Sequence, residues 1–159
     1  MRAETSFSAV STVTADSVFS SSYTNYLILF SATQSNIAGI FSLQFRASGA
    51  TNSTANYAFQ HNYITTSLVA SRNTGTGTAI TLNSDLGVNG QVGAITVYNP
   101  NLAETTQITH SITPTSPSSI TEFGAGGFGL TNVFDGFVLS VSPGTITGKY
   151  SVYGYNKAA

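Results

Sequence analysis

The 159-residue chain contains no cysteine and no long apolar run. The first absence excludes disulfide bonds, thiolate zinc sites and cysteine nucleophiles. The longest apolar run, Tyr26 to Phe30, has the length of a β-strand and falls far short of the roughly 18 residues of a membrane span. The start, MRAETSFSAV, lacks the apolar core of a signal peptide. We therefore predict no membrane partner.

Charged residues are scarce. Asp, Glu, Lys and Arg make up 7% of the chain, whereas about 25% is typical of globular domains. Serine and threonine make up more than a quarter. A net charge of −1 provides no field that attracts polyphosphate, so we predict no nucleic-acid partner. Soluble proteins usually carry more charge, which favours a surface partly buried in an assembly. The alternative is a solvated surface rich in hydroxyl groups.

Alternation of apolar and polar residues with a period of two dominates the chain, and no stretch has a helical period. In residues 40–47, Phe41, Leu43 and Phe45 share one face, and polar side chains take the other. Four further segments alternate in the same way: 57–63, 92–98, 107–112 and 137–141. A first strand is predicted at Thr5 to Val13. The pattern is typical of half-buried β-strands.

Turn residues separate the alternating segments. They occur at Ser48-Gly49, Asn73-Thr74-Gly75, Asn89-Gly90, Asn99-Pro100, Ser116-Pro117 and Pro143-Gly144, and the polar stretches 18–26 and 113–119 are predicted loops. We predict an all-β fold, a single antiparallel β-sandwich of jelly-roll type with about eight to ten strands. It would form one domain over residues 1–159, with 1–4 as a short N-terminal arm. Periodicity alone does not distinguish a jelly roll from an immunoglobulin-like sandwich.

Residues 144–149, GTITGK, have the composition of a phosphate-binding loop without its spacing. Three residues separate Gly144 from Gly148, where the Walker motif has four, and Tyr150 follows Lys149, where the motif has Ser or Thr. The following residues alternate like a strand, whereas a phosphate loop leads into a helix. We therefore predict a turn at Pro143-Gly144, a last strand beginning at 145–147, and a bulge or close backbone approach at Gly148.

The stretch GAGGFG at 124–129 matches the dinucleotide-binding pattern G-x-G-x-x-G. That pattern is meaningful only between a strand and a helix, and the LTNVFDGF that follows is not helical. We predict a flexible or tightly turned loop whose glycines allow close approach of a neighbouring subunit.

Residues suited to catalysis or metal binding are sparse. His61 and His110 are the two histidines, and each lies in an alternating segment without metal-ligand spacing, which indicates structural, hydrogen-bonded roles. The six acidic residues are scattered singly along the sequence: Glu4, Asp16, Asp85, Glu104, Glu122 and Asp135. No G-x-S-x-G elbow is present. We predict a protein that is not an enzyme and has no cofactor or metal ligand. A calcium ion at Asp85 or Asp135 is left open.

Tyrosines near the C-terminus are the best candidates for a binding surface, since tyrosine is enriched at interfaces. Tyr150 shares a face with Val152 and is predicted to be core, which puts Tyr153 and Tyr155 on the outer face. The predicted interface residues are Arg2, Glu4, Tyr153, Tyr155 and Lys157.

Three segments carry a resemblance to a known family. They are VFSSSYTNYLILF at 18–30, FSLQFRASGATNSTANYAFQ at 41–60 and FDGFVLSVSPGTITGKYSVYGYNK at 134–157. Together they resemble a small β-sandwich family found in virion proteins of tailed bacteriophages. The resemblance implies a structural protein of the virion, assembled in the host cytoplasm, and it brings no catalytic residues.

The resemblance leaves two functions open. The first is a capsid decoration (cement) protein that binds the major capsid protein or another virion protein, as a homo-oligomer with a trimer as the expected state. The second is a receptor- or glycan-binding fibre tip that uses Asn52, Asn73 and the 124–129 glycines with the outer tyrosines. Few residues precede the first predicted strand or follow Tyr155, so we expect a free-standing module, which favours decoration.

Overall fold

A computed structural model describes residues 4–34, 39–64, 70–86, 90–114 and 121–156. These residues form thirteen strands and no helix, which confirms the all-β class and exceeds the predicted number of strands. The strands are β1 Thr5–Val10, β2 Thr12–Ala15, β3 Asn25–Gln34, β4 Gly39–Ala47, β5 Ala50–Thr51, β6 Tyr57–Ile64, β7 Ala70–Gly77, β8 Ile80–Leu86, β9 Gln91–Tyr98, β10 Thr105–Pro114, β11 Thr121–Thr131, β12 Gly136–Ser142 and β13 Ile146–Tyr155. Within this part of the chain, no helix is long and apolar enough to cross a membrane.

The strands form two antiparallel sheets of unequal size. The large sheet has eight strands in the order β1-β13-β3-β9-β10-β11-β6-β7. The small sheet has the order β2-β12-β4-β5, and β8 also pairs with β4. Strand β8 contacts β6, β10 and β11 of the large sheet, which curls into a half-barrel. The small sheet and β8 therefore fill the concave side of the large one.

The core lies between the sheets and follows the alternation in the sequence. Phe41, Leu43 and Phe45 of β4 are fully buried, as predicted. Phe45 stacks on Phe134 with ring centroids 4.9 Å apart, and Phe134 in turn meets Phe128 of the large sheet at 5.2 Å. Each such ring contributes about 1.5–3 kcal/mol through burial. Aromatic packing therefore joins the two layers.

The predicted first strand, Thr5 to Val13, is two strands in the structure. β1 pairs with β13 in the large sheet, and β2 pairs with β12 in the small one, so the chain changes sheets near Ser11. The β1 register shifts between Phe7 and Val10, and Ala9 has a φ of 52°. The prediction of one strand was wrong because the alternation of apolar and polar residues does not change where the chain passes from one sheet to the other.

Two glycine-rich stretches predicted to be turn or loop are strands. Residues 73–75 lie within β7, and residues 124–129 lie within β11. A Cβ at Gly75 would come within 2.7 Å of Cζ of Phe59, and one at Gly124 would come within 2.5 Å of the carbonyl oxygen of Gln60. These glycines serve close packing rather than chain reversal, so the predictions from composition were wrong.

The C-terminal hairpin agrees with the prediction. β12 ends at Ser142, Gly144 has a φ of 102°, and β13 begins at Ile146. A Cβ at Gly148 would overlap the carbonyl oxygen of Ser31, which confirms the close approach. The nucleotide-loop composition of 144–149 is thus accounted for by a turn and a strand.

Most other turn signals are confirmed where they fall on described residues. Ser48 and Gly49 have φ values of 52° and 78° between β4 and β5, and Asn99 has a φ of 55° after β9. Of the predicted loop 18–26, residues 18–24 lie in no strand, as expected, but residues 25–26 begin β3. Residues 113–114 of the predicted loop 113–119 likewise belong to a strand, β10. Asn89, Ser116-Pro117 and residues 115–119 lie outside the described residues.

Candidate functional site

The convex side of the large sheet is uncharged over its middle strands. We use the name outer face for the outward side chains of β3, β9, β10, β11 and β6, which alternate with buried ones such as Ile28, Ile95 and Ile108. Among the described residues of these five strands, no Asp, Glu, Lys or Arg points outward. A face of this width without charge is the clearest surface feature of the molecule.

The strand register arranges the outer face in rows. One row runs across six neighbouring strands and consists of Tyr153, Leu27, Thr96, Thr109, Ala125 and Gln60. The next row includes Leu29 and Phe123, which are 40% and 45% exposed. The face therefore combines hydroxyl, amide and small side chains with exposed apolar ones.

Tyrosines occupy the β13 end of this face. Tyr155 and Tyr98 both lie opposite Asn25, which is nearly buried between them. Partial burial and the nearby Tyr98 raise the pKa of Tyr155, while a hydrogen bond with the Thr96 side chain opposes the rise. Tyr150 is buried with Val152, as predicted, and Tyr153 and Tyr155 point outward, as predicted.

The charges described lie at the margins of the outer face or away from it. Nζ of Lys149 lies 3.0 Å from Oε2 of Glu4, and both side chains are about half exposed at the β1 edge. On the small-sheet side, Nε of Arg46 lies 2.6 Å from Oδ1 of Asp16. Of the predicted interface residues, Glu4 thus borders the face, while Arg2 and Lys157 lie outside the described residues.

A groove of about 340 Å³ crosses the outer face over the glycines of β11. Gln60 of β6 and Gln107 of β10 flank it, and Ala125 and Gly127 form its floor. The Gln107 amide occupies the space over Gly127, since a Cβ there would lie 2.6 Å from its Oε1. The groove therefore offers two amides beside an uncharged floor.

The concave side carries a buried polar cluster, which we define as His61 of β6, His110 of β10 and Glu122 of β11. Their exposures are 0%, 5% and 1%. Nε2 of His61 lies 3.8 Å from Oε2 of Glu122, and the two imidazole centroids lie 6.3 Å apart. Gly124 pairs with both histidines across the sheet. Its missing side chain makes room for the rings.

Burial controls the protonation of the two histidines. Desolvation lowers the pKa of His110 to about 4, with a further contribution from nearby His61 and an opposing one from the backbone of Leu82. Desolvation also lowers the pKa of His61, and the interaction with the Thr81 backbone partly opposes this decrease. Both imidazoles are therefore neutral near pH 7.

The histidines are in the core, as expected for structural residues. The backbone of Thr81 interacts with His61 and that of Leu82 with His110, but among the described residues no ring nitrogen has a hydrogen bond of standard geometry. The predicted hydrogen bonding stays a prediction. Sequence reasoning missed Glu122 as their neighbour. Glu122 lies two residues before Gly124 in β11, so both face the same side of the sheet. The prediction of a loop at 124–129 hid this relationship.

The predicted lack of a metal site stays a prediction. Within the described chain, no three His, Asp or Glu residues are placed to hold a metal ion. Oδ2 of Asp135 accepts a hydrogen bond from the Ser48 amide at 3.0 Å. The Asp85 side chain lies outside what the structure describes.

Comparison with known proteins yields no match among protein-family models and none among curated proteins.

Proposed function

We propose that this chain is a non-enzymatic virion structural protein of a tailed bacteriophage, a decoration protein that stabilises the capsid by docking its outer face on the shell. The uncharged outer face is the observation that carries the proposal. Interface cores are depleted in charged residues and enriched in tyrosine. The five-strand surface has the first property, and Tyr98, together with Tyr153 and Tyr155 of neighbouring β13, supplies tyrosines at one end of it.

The size of the outer face suits a specific contact. Five strands spaced about 4.8 Å apart, each about seven residues long where they lie side by side, cover roughly 600 Å² in projection. Tyr153 and Tyr155 on neighbouring β13 extend this area toward the roughly 800 Å² per partner of a standard interface. Their rings also supply rigid area that loses little conformational entropy on docking.

The segments that resemble phage virion proteins are adjacent in the fold. Residues 18–30 include the first part of β3 and residues 134–157 include β13, and these parts pair from Tyr150 opposite Phe30 to Tyr155 opposite Asn25. The hydroxyl of Tyr26 ties the preceding loop to β3 through Ser20. The motifs thus act as one packing unit, which supports the jelly-roll-like sandwich of that family as part of the proposal.

A non-catalytic role is supported by the partners of the acids. Glu4 contacts Lys149, Asp16 contacts Arg46, and Glu104 accepts a hydrogen bond from Asn99. These contacts use the carboxylates singly rather than in the pairs that glycoside hydrolysis needs. Both histidines are buried and cannot reach a substrate in solvent.

Self-association belongs to the same proposal. Among the described strands, β1 and β7 end the large sheet, and the edge strands of a sheet can pair with another chain. A homo-oligomer would cover these edges, and the trimer is the state implied by the phage resemblance.

The groove over β11 favours a second candidate function, a receptor- or glycan-binding fibre tip. Side-chain amides such as those of Gln60 and Gln107 can bond sugar hydroxyls, and Phe123 lies nearby on the same face. The 124–129 glycines would then form the floor of a groove instead of a mobile loop.

Copy number separates the two candidates. Purified particles are resolved on a stained gel, and the band is compared with those of the major capsid protein and the tail proteins. We expect hundreds of copies per particle and a loss of heat resistance in particles that lack the protein. A copy number like that of the tail proteins, with intact shells and lost adsorption on deletion, would contradict decoration and favour the fibre tip.

A further inference from the structure

We propose that the buried polar cluster is an acid-sensitive latch: it holds β8 against the large sheet near neutral pH and releases it when both imidazoles take up protons. The inference is independent of what the outer face binds.

The latch rests first on the placement of β8. Ile80 and Leu82 of this strand are fully buried, and its backbone at Thr81 and Leu82 faces the two imidazoles. Pairing between β8 and β4 is irregular, with register shifts on both sides of Phe41. Besides its pairing with β4, β8 therefore packs against the three strands that carry the cluster, β6, β10 and β11.

Charge balance within the cluster is the second basis. Among the described side chains, the titratable groups that face His61 are Glu122 from β11 and His110 from β10, and the side chains of Tyr63 on β6 and Asp85 on β8 lie outside this description. Among the described side chains of the packed elements, β8 adds the amide of Asn83, β9 adds that of Gln91, and β6 itself adds Tyr57. Among the described side chains, Glu122 is the carboxylate beside the rings and can balance one imidazolium, whereas two protonated rings 6.3 Å apart repel each other.

A buried hydrogen bond between β8 and β9 would be disrupted if β8 were released from the large sheet. Nδ2 of Asn83 donates a hydrogen bond to Oε1 of Gln91 at 3.2 Å, which ties β8 to β9 inside the core. Water entering to solvate two imidazolium groups would compete with this bond. Release would expose Ile80 and Leu82, which gives the acid form a new apolar surface.

The direction of the pH effect follows from linkage. In the open state the histidines titrate near 6.5, whereas in the closed state their pKa values are lowered. The open state therefore binds more protons as pH falls below about 6.5. The closed state is fully favoured above about pH 6.5. It loses stability as the pH falls from there to the closed-state pKa, which is about 4 for His110.

Hydrogen exchange at pH 7.0 and pH 5.0, corrected for the intrinsic rates, tests the latch on the whole protein. We expect exchange of the β8 amides to rise by at least about tenfold relative to the β3–β13 ladder. The His61→Gln/His110→Gln double variant should lose this difference. An equal change in both regions would overturn the proposal.

A second readout does not depend on the variant folding. The ring-proton NMR shifts of both histidines in the unaltered protein should titrate below the usual histidine range. Ordinary titration near 6.5, with no opening of β8, would equally overturn the latch.

Discussion

The hydroxyl of Tyr26 is bonded twice to one residue, Ser20. It accepts a hydrogen bond from the Ser20 amide at 2.6 Å and donates one to the Ser20 carbonyl at 2.7 Å. The Tyr26 ring is buried and meets Phe19 at 4.8 Å. One side chain therefore fixes the loop before β3 and fills the core beneath it.

Removing this hydroxyl should weaken the fold while leaving the ring in place. We expect Tyr26→Phe to lower the free energy of unfolding by about 1–3 kcal/mol, because two partly buried backbone groups lose their partner. Urea unfolding followed by circular dichroism measures the change. Tyr153→Phe on β13, beside the outer face, is the matched control and should change stability by less than about 0.5 kcal/mol.

Gly124 tests whether the glycines of β11 are required by packing. A Cβ there would lie 2.6 Å from Cβ of His61 and 2.8 Å from Cε1 of His110. Gly124→Ala should destabilise the protein by about 1–3 kcal/mol through overpacking. Gly77→Ala, where the added Cβ meets nothing within 4 Å, should unfold at the original urea concentration or slightly above it. Equal losses in the two variants would contradict a packing role.

Alternation predicted the strands well because burial of one face imposes a period of two. Phe41, Leu43 and Phe45 needed no further information, since an apolar row has to face the core. Alternation cannot report which sheet a strand joins, so the break near Ser11 was missed. The uncharged composition hinted at an interface, but the strand order was needed to gather those residues on one face.

The glycines show where local rules failed. Gly124 and Gly75 have the composition of turns, but each lies opposite a bulky residue of β6 that takes up the missing volume. That requirement comes from neighbours more than ten residues away and is invisible to a local reading. The buried polar cluster was missed for the same reason, since it needs three separate strands in register.

Tyr57 predicts a loss of stability at alkaline pH. Its hydroxyl accepts a hydrogen bond from the Phe45 amide and donates one to the Asn52 carbonyl, and burial raises its pKa to about 12. The unfolded chain releases this proton near pH 10. Stability from this group is therefore full below pH 10 and is lost as pH rises toward 12.

Comparison with Tyr57→Phe isolates that contribution. The variant should be less stable at pH 8, since two backbone groups lose their partner, yet its unfolding free energy should fall less between pH 10 and 11.5. Urea unfolding at several pH values measures both slopes. Parallel slopes for the two proteins would show that other tyrosines account for the alkaline loss.

A single added charge tests docking through the outer face. Thr109 is exposed near the middle of the face, so Thr109→Lys should place an unpaired ammonium in the contact and reduce binding to capsids at least about tenfold. Thr12→Lys adds the same charge at an exposed position of the small sheet. It is the matched control and should bind like the original protein. Co-sedimentation with particles that lack the protein measures binding, and unfolding curves check that both variants are folded. If both lysine variants bind capsids as well as the original protein, the outer face is not the docking surface. If both lose binding equally, the shell repels the added charge wherever it lies.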